Sequence, residues 1–235
     1  PAGTAGVHVS ADIANATARY LRATDDEKFE TECGVELLVE TARLFAALGH
    51  HDVNGKFRID GVTGPDEYTA IINNNVFTNL AARQNLRDAA EIVHRRPDIA
   101  GQLGVTNAEV AHWESCADAM TIPYDDALGV HQQCESFTLL GAWDFEASVG
   151  KYPLLLNYPY YDLYRKQVVK QADLVFAMYT FGEEFTAEQK LKNFDYYYPL
   201  TVRDSSLSAC CEAVTAAEVG YLDLAYDLLS ESVFT

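Results

Sequence analysis

The residues best suited to chemistry lie in the stretch Gly64-Pro65-Asp66-Glu67-Tyr68, in which two acids follow a Gly-Pro pair. Proline fixes φ and glycine allows backbone conformations that other residues avoid, so we expect these carboxylates on a shaped loop. Because adjacent side chains usually point in different directions, only one of the two acids need face a pocket. A carboxyl buried among aromatic rings has a raised pKa and can act as a general acid at neutral pH. The same residue types also suit a plain turn that caps the next helix.

Two later segments carry polar side chains that fit a sugar or an anion. Lys170 and Gln171 lie in a predicted helix beside apolar residues, where a lysine either extends to the surface or points at a polar ligand. The turn Ser205-Ser206-Leu207-Ser208 follows Arg203 and leads into another predicted helix, which suits either an anion or simple helix capping. Each segment therefore has a binding interpretation and a structural one, and both stay open at this point.

Asn73-Asn74-Asn75 and the aromatic loop between Trp143 and Tyr161 could complete a carbohydrate site. Amide groups exchange hydrogen bonds with hydroxyls, and aromatic rings pack on sugar faces. Alternatively, the rings fill a core beneath a long loop, and we expect at least one asparagine to cap a helix. His50-His51 lies at the end of a predicted helix and is assigned no metal role, so we expect no metal site.

The elements that must position these residues are mainly helices. Apolar residues recur at helical spacing in eight segments, at about 10–23, 28–48, 74–94, 107–120, 163–179, 187–197, 208–219 and 221–235. Asn54-Gly55, followed by the alternating residues 56–59, predicts a short hairpin that leads into the Gly64-Pro65 turn. Residues 121–162 are predicted to be mostly irregular. Strand content is too low for an α/β sheet, so we expect an all-α array or toroid of helix hairpins.

The chain is long enough for one large domain, and it is strongly acidic. It has 235 residues, 49% of them hydrophobic, with 35 acidic against 17 basic residues and a formal charge of −18. This charge disfavours nucleic acid and anionic membranes as partners. The five cysteines form no CxxC pair, and no apolar run approaches the roughly 18 residues of a membrane span. We therefore expect reduced thiols and a cytoplasmic protein without a signal peptide.

Three motifs, taken together, resemble one known family. Residues 61–68 with 73–79, residues 168–173 and residues 201–208 resemble, in this order, motifs of the catalytic domain of the glycoside hydrolase family 65 enzymes. Residues 7–14 resemble the helix that precedes the first motif in that family. Three motifs with this spacing are a specific signal, and the resemblance spans nearly the whole chain.

The resemblance implies a fold and a set of site residues. The fold is an (α/α)6 barrel, which agrees with the paired helices predicted above. By the family's pattern, Glu67 corresponds to the general acid, and Lys170 and Gln171 correspond to residues that bind the glucosyl unit. Ser205 and Ser206 lie in the region near bound phosphate.

The resemblance also implies an activity on α-linked glucose disaccharides such as maltose, trehalose, kojibiose and nigerose. Most members are inverting phosphorylases that yield β-glucose 1-phosphate, with inorganic phosphate as co-substrate and no cofactor. The partners implied are a disaccharide and phosphate and, in the intact enzyme, a second copy in a homodimer. The residues Thr69-Ala70-Ile71 that continue the first motif favour the trehalose type over the maltose type.

Two other functions stay open from the sequence. A hydrolase of the same family, similar to a trehalase, would need a second carboxylate as base, roughly 6.5–9.5 Å from the acid, with water between them. Glu135, Asp144 and Glu146 are candidates for that base. A non-catalytic helical module that binds carbohydrate or protein is a function of a different class.

Family members also carry an N-terminal β-sandwich and a small C-terminal β domain, and neither is expected in this sequence. We therefore expect residues 1–235 to form an incomplete (α/α)6-barrel catalytic domain with a small β-hairpin, and we expect this segment to be inactive alone.

Overall fold

The computed structural model describes residues 5–202 and 204–234, which divide into two compact units. The first unit comprises Val7–Asp60 and Thr78–Ile122. The second comprises Gly61–Phe77 and the chain from Pro123 onward, together with residues 5–6. Glu67, the lysine segment and the serine turn of the sequence analysis all belong to this second unit. Arg203, which the sequence predicted as part of an anion site, lies outside the described residues.

The first unit is helical with one small hairpin. Three buried alanines recur at helical spacing with Thr17 and Leu21 along its first helix, which explains why that segment folds as it does. The helical segments of this unit are His8–Thr24, Glu27–Phe29, a π-helical turn at Glu30–Gly34, Val35–Leu48, Val76–Arg95 (whose first two residues belong to the second unit), Pro97–Gln102 and Asn107–Asp118. The prediction of a mainly helical chain is confirmed here.

The hairpin predicted at Asn54-Gly55 is also confirmed. The strands His50–His51 and Phe57–Arg58 pair in antiparallel register, and Gly55 takes a positive φ of 77° in the turn. Gly49 must lack a side chain, because a Cβ there would lie 2.2 Å from the Phe57 ring. The buried Phe57 thereby fixes how the hairpin leaves the helix before it.

The second unit combines helices with two very small sheets. The strands Tyr124–Asp125 and Val130–His131 pair antiparallel, whereas Gly141–Ala142 and Lys166–Gln167 pair in parallel. The helices are Leu154–Asn157, Tyr160–Leu163, Leu174–Thr180, Ala187–Tyr197, Ser208–Glu218 and Leu222–Phe234, with 3-10 turns at Phe137–Leu139, Glu146–Ser148, Gly182–Glu184 and Tyr198–Leu200. In the described part of the chain, no helix has both the length and the apolar character needed to cross a membrane.

The helix predicted over residues 163–179 is wrong. The chain instead forms the strand Lys166–Gln167, an irregular segment with bends over residues 168–173, and the helix Leu174–Thr180. Lys170 and Gln171 therefore lie on an irregular segment before a helix, and not in the middle of one. We call residues 168–173 the lysine segment.

Hydrogen bonds to distant parts of the chain explain this departure. The Val169 N–H donates to the carbonyl of Leu200, and the Val202 N–H donates to the carbonyl of Val169, each at 2.9 Å. The Ala172 N–H donates to the Ser208 hydroxyl at 3.0 Å. A helix would have taken these backbone groups for its own i to i−4 bonds. The β-branched Val168 and Val169 also favour an extended backbone.

The helix predicted from about residue 74 begins two residues later, at Val76. Asn74 has a positive φ of 49°, which a right-handed helix cannot include. The three asparagines therefore precede the helix, and Asn75 lies directly before its first residue.

Candidate active site

Glu67 lies on a loop that is closed at its base by backbone pairing. We call residues 61–75 the acid loop. Val62 and Ile72 exchange two backbone hydrogen bonds, of 2.9 and 2.8 Å, across its neck. The Asn73 side chain accepts a hydrogen bond from the Gly61 N–H at 3.1 Å. These contacts fix both ends of a segment that has no regular secondary structure of its own.

Gly64 lets the acid loop approach the lysine segment closely. A Cβ at this position would lie 2.4 Å from the Asn75 amide nitrogen and 2.6 Å from an Asp173 carboxylate oxygen. Real Cβ atoms do not approach other atoms this closely, so a side chain here would displace a neighbour. Close packing against Asn75 and Asp173 thus requires that residue 64 has no side chain.

Asp66 is the first of two buried carboxylates that brace the acid loop. One of its oxygens accepts hydrogen bonds from the Tyr68 N–H at 3.0 Å and the Lys170 N–H at 2.9 Å. Its other oxygen accepts from the Gln133 side chain at 2.8 Å. Asp66 therefore ties its own loop to the lysine segment and to the Gln133 region. Its side chain does not point at solvent, since the residue is fully buried.

Asp173 completes the brace from the end of the lysine segment. It accepts the Asp66 N–H at 3.2 Å, and both of its oxygens accept from the Asn75 amide, at 3.1 and 3.0 Å. The same Asn75 amide donates to the carbonyl of Gln133 at 3.1 Å. Asp173 precedes the helix Leu174–Thr180 but makes no capping bond to it, because its carboxylate faces the acid loop.

Burial raises the pKa of both carboxyls. Loss of solvent raises the pKa of Asp66 to about 6, against the hydrogen bonds that it accepts. Loss of solvent, followed by the negative charge of Asp66, raises the pKa of Asp173 to about 8. A buried charge without a cationic partner is costly. Within the described residues no Lys, Arg or His side chain bonds to either carboxylate, so the pair favours a state in which Asp173 carries a proton at neutral pH.

Glu67 points the other way and meets Lys170. The Lys170 ammonium donates a hydrogen bond to the Glu67 carboxylate, and the two form an ion pair. The Glu67 side chain is 55% exposed, whereas that of Lys170 is 18% exposed. Of the two adjacent acids, Glu67 is therefore the one accessible to a substrate. Tyr164 lies near enough that its phenol pKa is raised, first by burial and then by the negative charges around it, Glu67 among them.

Gln171 and the asparagines bind other parts of the protein in this structure. The Gln171 amide donates to the carbonyl of Pro65 at 2.6 Å, which holds the turn just before Glu67. Asn74 and Asn75 are fully buried, and Asn74 donates to the carboxylate of Glu135 at 3.3 Å. The asparagines thus stabilise the acid loop from within.

Tyr68 connects the acid loop to the region of the two serines. Its ring is fully buried, and its hydroxyl donates to the carboxylate of Asp204. The same Asp204 oxygen accepts the Leu154 N–H at 2.7 Å. Asp204 directly precedes Ser205, so Tyr68 and Asp204 join the residue after the acid to the residue before the serines.

Ser205 and Ser206 line an open cavity of about 370 Å³. The other lining residues are Tyr152, Pro153, Asp204, Ala209 and Glu231. The Ser205 hydroxyl accepts the Leu207 N–H at 3.3 Å, which shapes the turn before the helix Ser208–Glu218. We call residues 204–207 the serine turn. Its predicted role in phosphate binding remains a prediction.

Part of the aromatic loop serves as core. Trp143, Phe145 and Tyr158 pack against the buried cluster that contains Tyr68, so the structural interpretation holds for these rings. Tyr160 and Tyr161 are more than half exposed, and neither belongs to that cluster. A cavity of about 260 Å³ opens beside Trp143, Asp144, Ser148, Tyr158, Asp162 and Lys166.

The three candidate bases of a hydrolase are all exposed, but they differ in their contacts. Asp144 accepts the Ala147 N–H at 3.0 Å and so caps a turn. Glu135 is bonded to Asn74 of the acid loop. Glu135 is therefore the candidate that is linked directly to the loop that carries Glu67.

The sequence missed two residues that organise this site. Gln133 carried no signal, because an isolated glutamine in an irregular segment has many ordinary uses. Asp173 lay within the second motif, residues 168–173, but its part in bracing Glu67 depends on contacts across 107 residues of sequence. Among the described residues, no group of three or more His, Cys, Asp or Glu side chains is arranged to hold a metal ion.

The chain is similar to known proteins over nearly its whole length. The family model described as the glycosyl hydrolase family 65 central catalytic domain matches residues 1–235. An uncharacterized glycosyl hydrolase of Mycobacterium tuberculosis is 57% identical over 232 residues, covering 99% of this chain and 29% of that protein. An α,α-trehalose phosphorylase of Geobacillus stearothermophilus is 44% identical over 241 residues, covering 99% of this chain and 31% of that protein. The chain thus spans about a third of the length of these relatives.

A solved structure supports the fold. It is provisionally named a kojibiose phosphorylase from human microbiome, and it aligns with 93% of this chain and 33% of its own at a TM-score of 0.85 and 28% sequence identity. The similarity confirms the fold class that the sequence predicted.

Proposed function

Because the chain belongs to glycosyl hydrolase family 65, we propose that the full-length protein is an inverting phosphorylase of an α-linked glucose disaccharide. Trehalose is the favoured substrate. The similarity to a trehalose phosphorylase and the residues Thr69-Ala70-Ile71 both support this choice. The observation that carries the proposal is the accessible Glu67 carboxylate, held beside Lys170 on a loop whose other acid is buried.

Glu67 acts as the general acid. Once released from Lys170, the carboxylate takes up a proton from solvent, and it donates this proton to the glycosidic oxygen as the bond between that oxygen and the anomeric carbon breaks. Such a group contributes roughly 10²–10⁴-fold to the rate. The buried Asp66 and Asp173 keep the backbone of Glu67 in place, so the side chain needs little reorganisation to reach the oxygen. The departing sugar leaves with a new hydroxyl.

Inorganic phosphate is the nucleophile. It attacks the anomeric carbon from the face opposite the leaving group, so an α-glucoside gives β-glucose 1-phosphate and a free acceptor sugar. Phosphate is already an anion and needs no carboxylate base. We assign phosphate binding to the serine turn at Ser205 and Ser206, and glucosyl binding to Lys170 and Gln171. The proposed reaction needs no cofactor. We also propose that the full-length protein is a homodimer and that it lies in the cytoplasm. The five free cysteines are in keeping with that compartment.

Lys170 has a specific task in this scheme. Its ammonium must exchange the Glu67 carboxylate for a hydroxyl of the glucosyl unit when the substrate binds. Substrate binding and the release of Glu67 from Lys170 therefore occur in one step. Gln171 similarly holds the turn at Pro65 through a hydrogen bond of 2.6 Å. A substrate contact that moves Gln171 would therefore also move the acid loop.

Hydrolysis is the second candidate function, because Glu135 is bonded to Asn74 within the acid loop. The test is to incubate the full-length protein with trehalose, maltose, kojibiose and nigerose, each with and without phosphate. We expect glucose 1-phosphate from trehalose only when phosphate is present. Release of glucose from any of the four without phosphate supports the hydrolase, and no product from any of them supports a non-catalytic module.

A further inference from the structure

We propose that Tyr68 is a positioning residue that couples phosphate binding at the serine turn to the placement of Glu67, through its hydrogen bond with Asp204. The inference rests on the proposed function, because it takes Glu67 as the acid and the serine turn as the phosphate site. It assigns to Tyr68 and Asp204 a role in communication between the two halves of the site.

The two residues are adjacent in sequence to the two groups that they would couple. Tyr68 follows Glu67, and Asp204 precedes Ser205. A shift of the serine turn moves the Asp204 carboxylate, and the phenol bonded to it can follow only by moving the backbone next to Glu67. No other side chain is needed to carry the effect.

Both ends of this contact are held firmly. The Tyr68 ring packs in a cluster with Leu154, Leu163 and Val168, all fully buried. Asp204 accepts a second hydrogen bond, from the Leu154 N–H at 2.7 Å. A buried ring and a carboxylate with two donors have few alternative positions, so displacement at one end is transmitted and not absorbed. Burial, followed by the hydrogen bond and charge of Asp204, raises the pKa of the Tyr68 phenol, which keeps it a hydrogen-bond donor at neutral pH.

The contact closes a circuit of three segments. The acid loop is bonded to the lysine segment where the Lys170 N–H meets Asp66 at 2.9 Å. The lysine segment is bonded to the chain before the serine turn where Val169 pairs with Leu200 and Val202. The hydrogen bond between Tyr68 and Asp204 forms the third side, between the serine turn and the acid loop. The second side uses backbone groups, and the first is reinforced by the bonds from the Asp66 N–H to Asp173 and from Gln171 to Pro65, so the third is the side that the removal of one hydroxyl can open.

Coupling of this kind is reciprocal at equilibrium. If phosphate at the serine turn favours the working position of the acid loop, then a sugar bound at Glu67 must favour phosphate binding by the same factor. Coupling factors between sites are typically on the order of 5- to 150-fold. The structure therefore predicts that glucose tightens the binding of phosphate and that this effect depends on the Tyr68 hydroxyl.

The experiment measures the Kd of phosphate by calorimetry, with and without saturating glucose, in the full-length protein. Tyr68→Phe keeps the ring in its cluster and removes the hydroxyl. Tyr221→Phe is the matched control, because Tyr221 donates a similar hydrogen bond to Asp195 at 2.8 Å but is exposed. We expect glucose to tighten phosphate binding at least about fivefold in the wild type and in Tyr221→Phe, and to have no effect in Tyr68→Phe.

A simple loss of stability would lower the unfolding temperature of Tyr68→Phe without changing the ratio of the two Kd values. A ratio in Tyr68→Phe equal to that in Tyr221→Phe therefore overturns the coupling, as does a wild-type ratio of one. Should Tyr68→Phe not fold, Asp204→Ala takes its place, because it removes the acceptor of the Tyr68 hydroxyl and leaves the Tyr68 ring in its cluster. We expect a ratio of about one in Asp204→Ala, and an unchanged ratio overturns the inference.

A separate result would overturn the proposed function. If the wild type forms no glucose 1-phosphate from any disaccharide in the presence of phosphate, the phosphorylase proposal is overturned. If it does so and the Tyr68→Phe ratio is unchanged, only the coupling is overturned.

Discussion

The ammonium of Lys170 bonds to the carboxylate of Glu67, although the two residues are 103 positions apart in the chain. The family resemblance gave them different roles, one in binding the glucosyl unit and one in donating a proton. Their contact joins those roles at one point. The arrangement depends on Asp66, which turns its own side chain inward and binds the Lys170 backbone.

Glu67→Gln should reduce turnover of the natural disaccharide by roughly 10²–10⁴-fold. The amide keeps the size of the side chain but is too weak an acid to transfer a proton to the glycosidic oxygen. The exposed position of Glu67 means that folding should be unaffected, which circular dichroism can check. Glu188→Gln is the matched control, because Glu188 forms an exposed ion pair with Lys192 and lies far from the acid loop in sequence. Near-normal activity of Glu67→Gln would show that Glu67 is not the general acid.

Lys170→Met should lower kcat/KM for the disaccharide by roughly 10- to 150-fold, since a hydrogen bond to a charged group contributes about 1.5–3 kcal/mol. Methionine preserves most of the length of the side chain, and the Lys170 N–H that binds Asp66 remains. Lys192→Met removes a comparable ammonium that contacts Glu188 at 2.8 Å, and it should have no effect. Equal kinetics for the two variants would show that Lys170 does not contact the substrate.

Asp173→Asn should change how stability depends on pH. The folded-state pKa of Asp173 is raised to about 8, above its ordinary value of 3.8, chiefly by burial. A raised acid pKa contributes stability that is fully present below about pH 4 and is lost as the pH rises to about 8. The wild type should thus lose stability over this range, by several kcal/mol, relative to a variant that cannot ionise.

The measurement is the unfolding temperature of the full-length protein between pH 5 and pH 8.5. We expect the unfolding temperature of the wild type to fall relative to that of Asp173→Asn as the pH rises. The exposed control Asp195→Asn should show the same pH dependence as the wild type. Parallel curves for wild type and Asp173→Asn would mean that Asp173 does not titrate in this range.

Gly64→Ala should destabilise the acid loop by about 1–3 kcal/mol, the usual cost of overpacking. The new Cβ would lie 2.4 Å from the Asn75 amide nitrogen and must displace it from Asp173. Gly101→Ala is the control, because a Cβ there meets nothing within 4 Å and the position is helical. We expect Gly101→Ala to be neutral or slightly stabilising. Chemical denaturation of both variants distinguishes the two effects, and equal stabilities would contradict the close packing of Gly64.

The elements that the sequence predicted well have local causes. The helix Ala187–Tyr197 was predicted at its observed ends, and its start is a capping box in which Thr186 and Gln189 exchange hydrogen bonds. The Asn54-Gly55 hairpin has an equally local signal. In both cases a few neighbouring residues determine the backbone, so no knowledge of the rest of the chain was needed.

The lysine segment could not be predicted in this way. Its residues have helical spacing of apolar positions, but its backbone groups bind Leu200, Asp66 and Ser208. The motif did identify Glu67 and Lys170 as site candidates. It could not show that they touch, nor that Asp173 and Gln133 brace them, because those contacts exist only once the chain has folded.

The most direct test follows the reaction of the full-length protein with trehalose and inorganic phosphate by proton NMR. An inverting phosphorylase must produce glucose and β-glucose 1-phosphate in equal amounts, and Glu67→Gln must stop both. Glucose appearing at the same rate without phosphate, or a sugar phosphate formed first in the α configuration, would contradict the account.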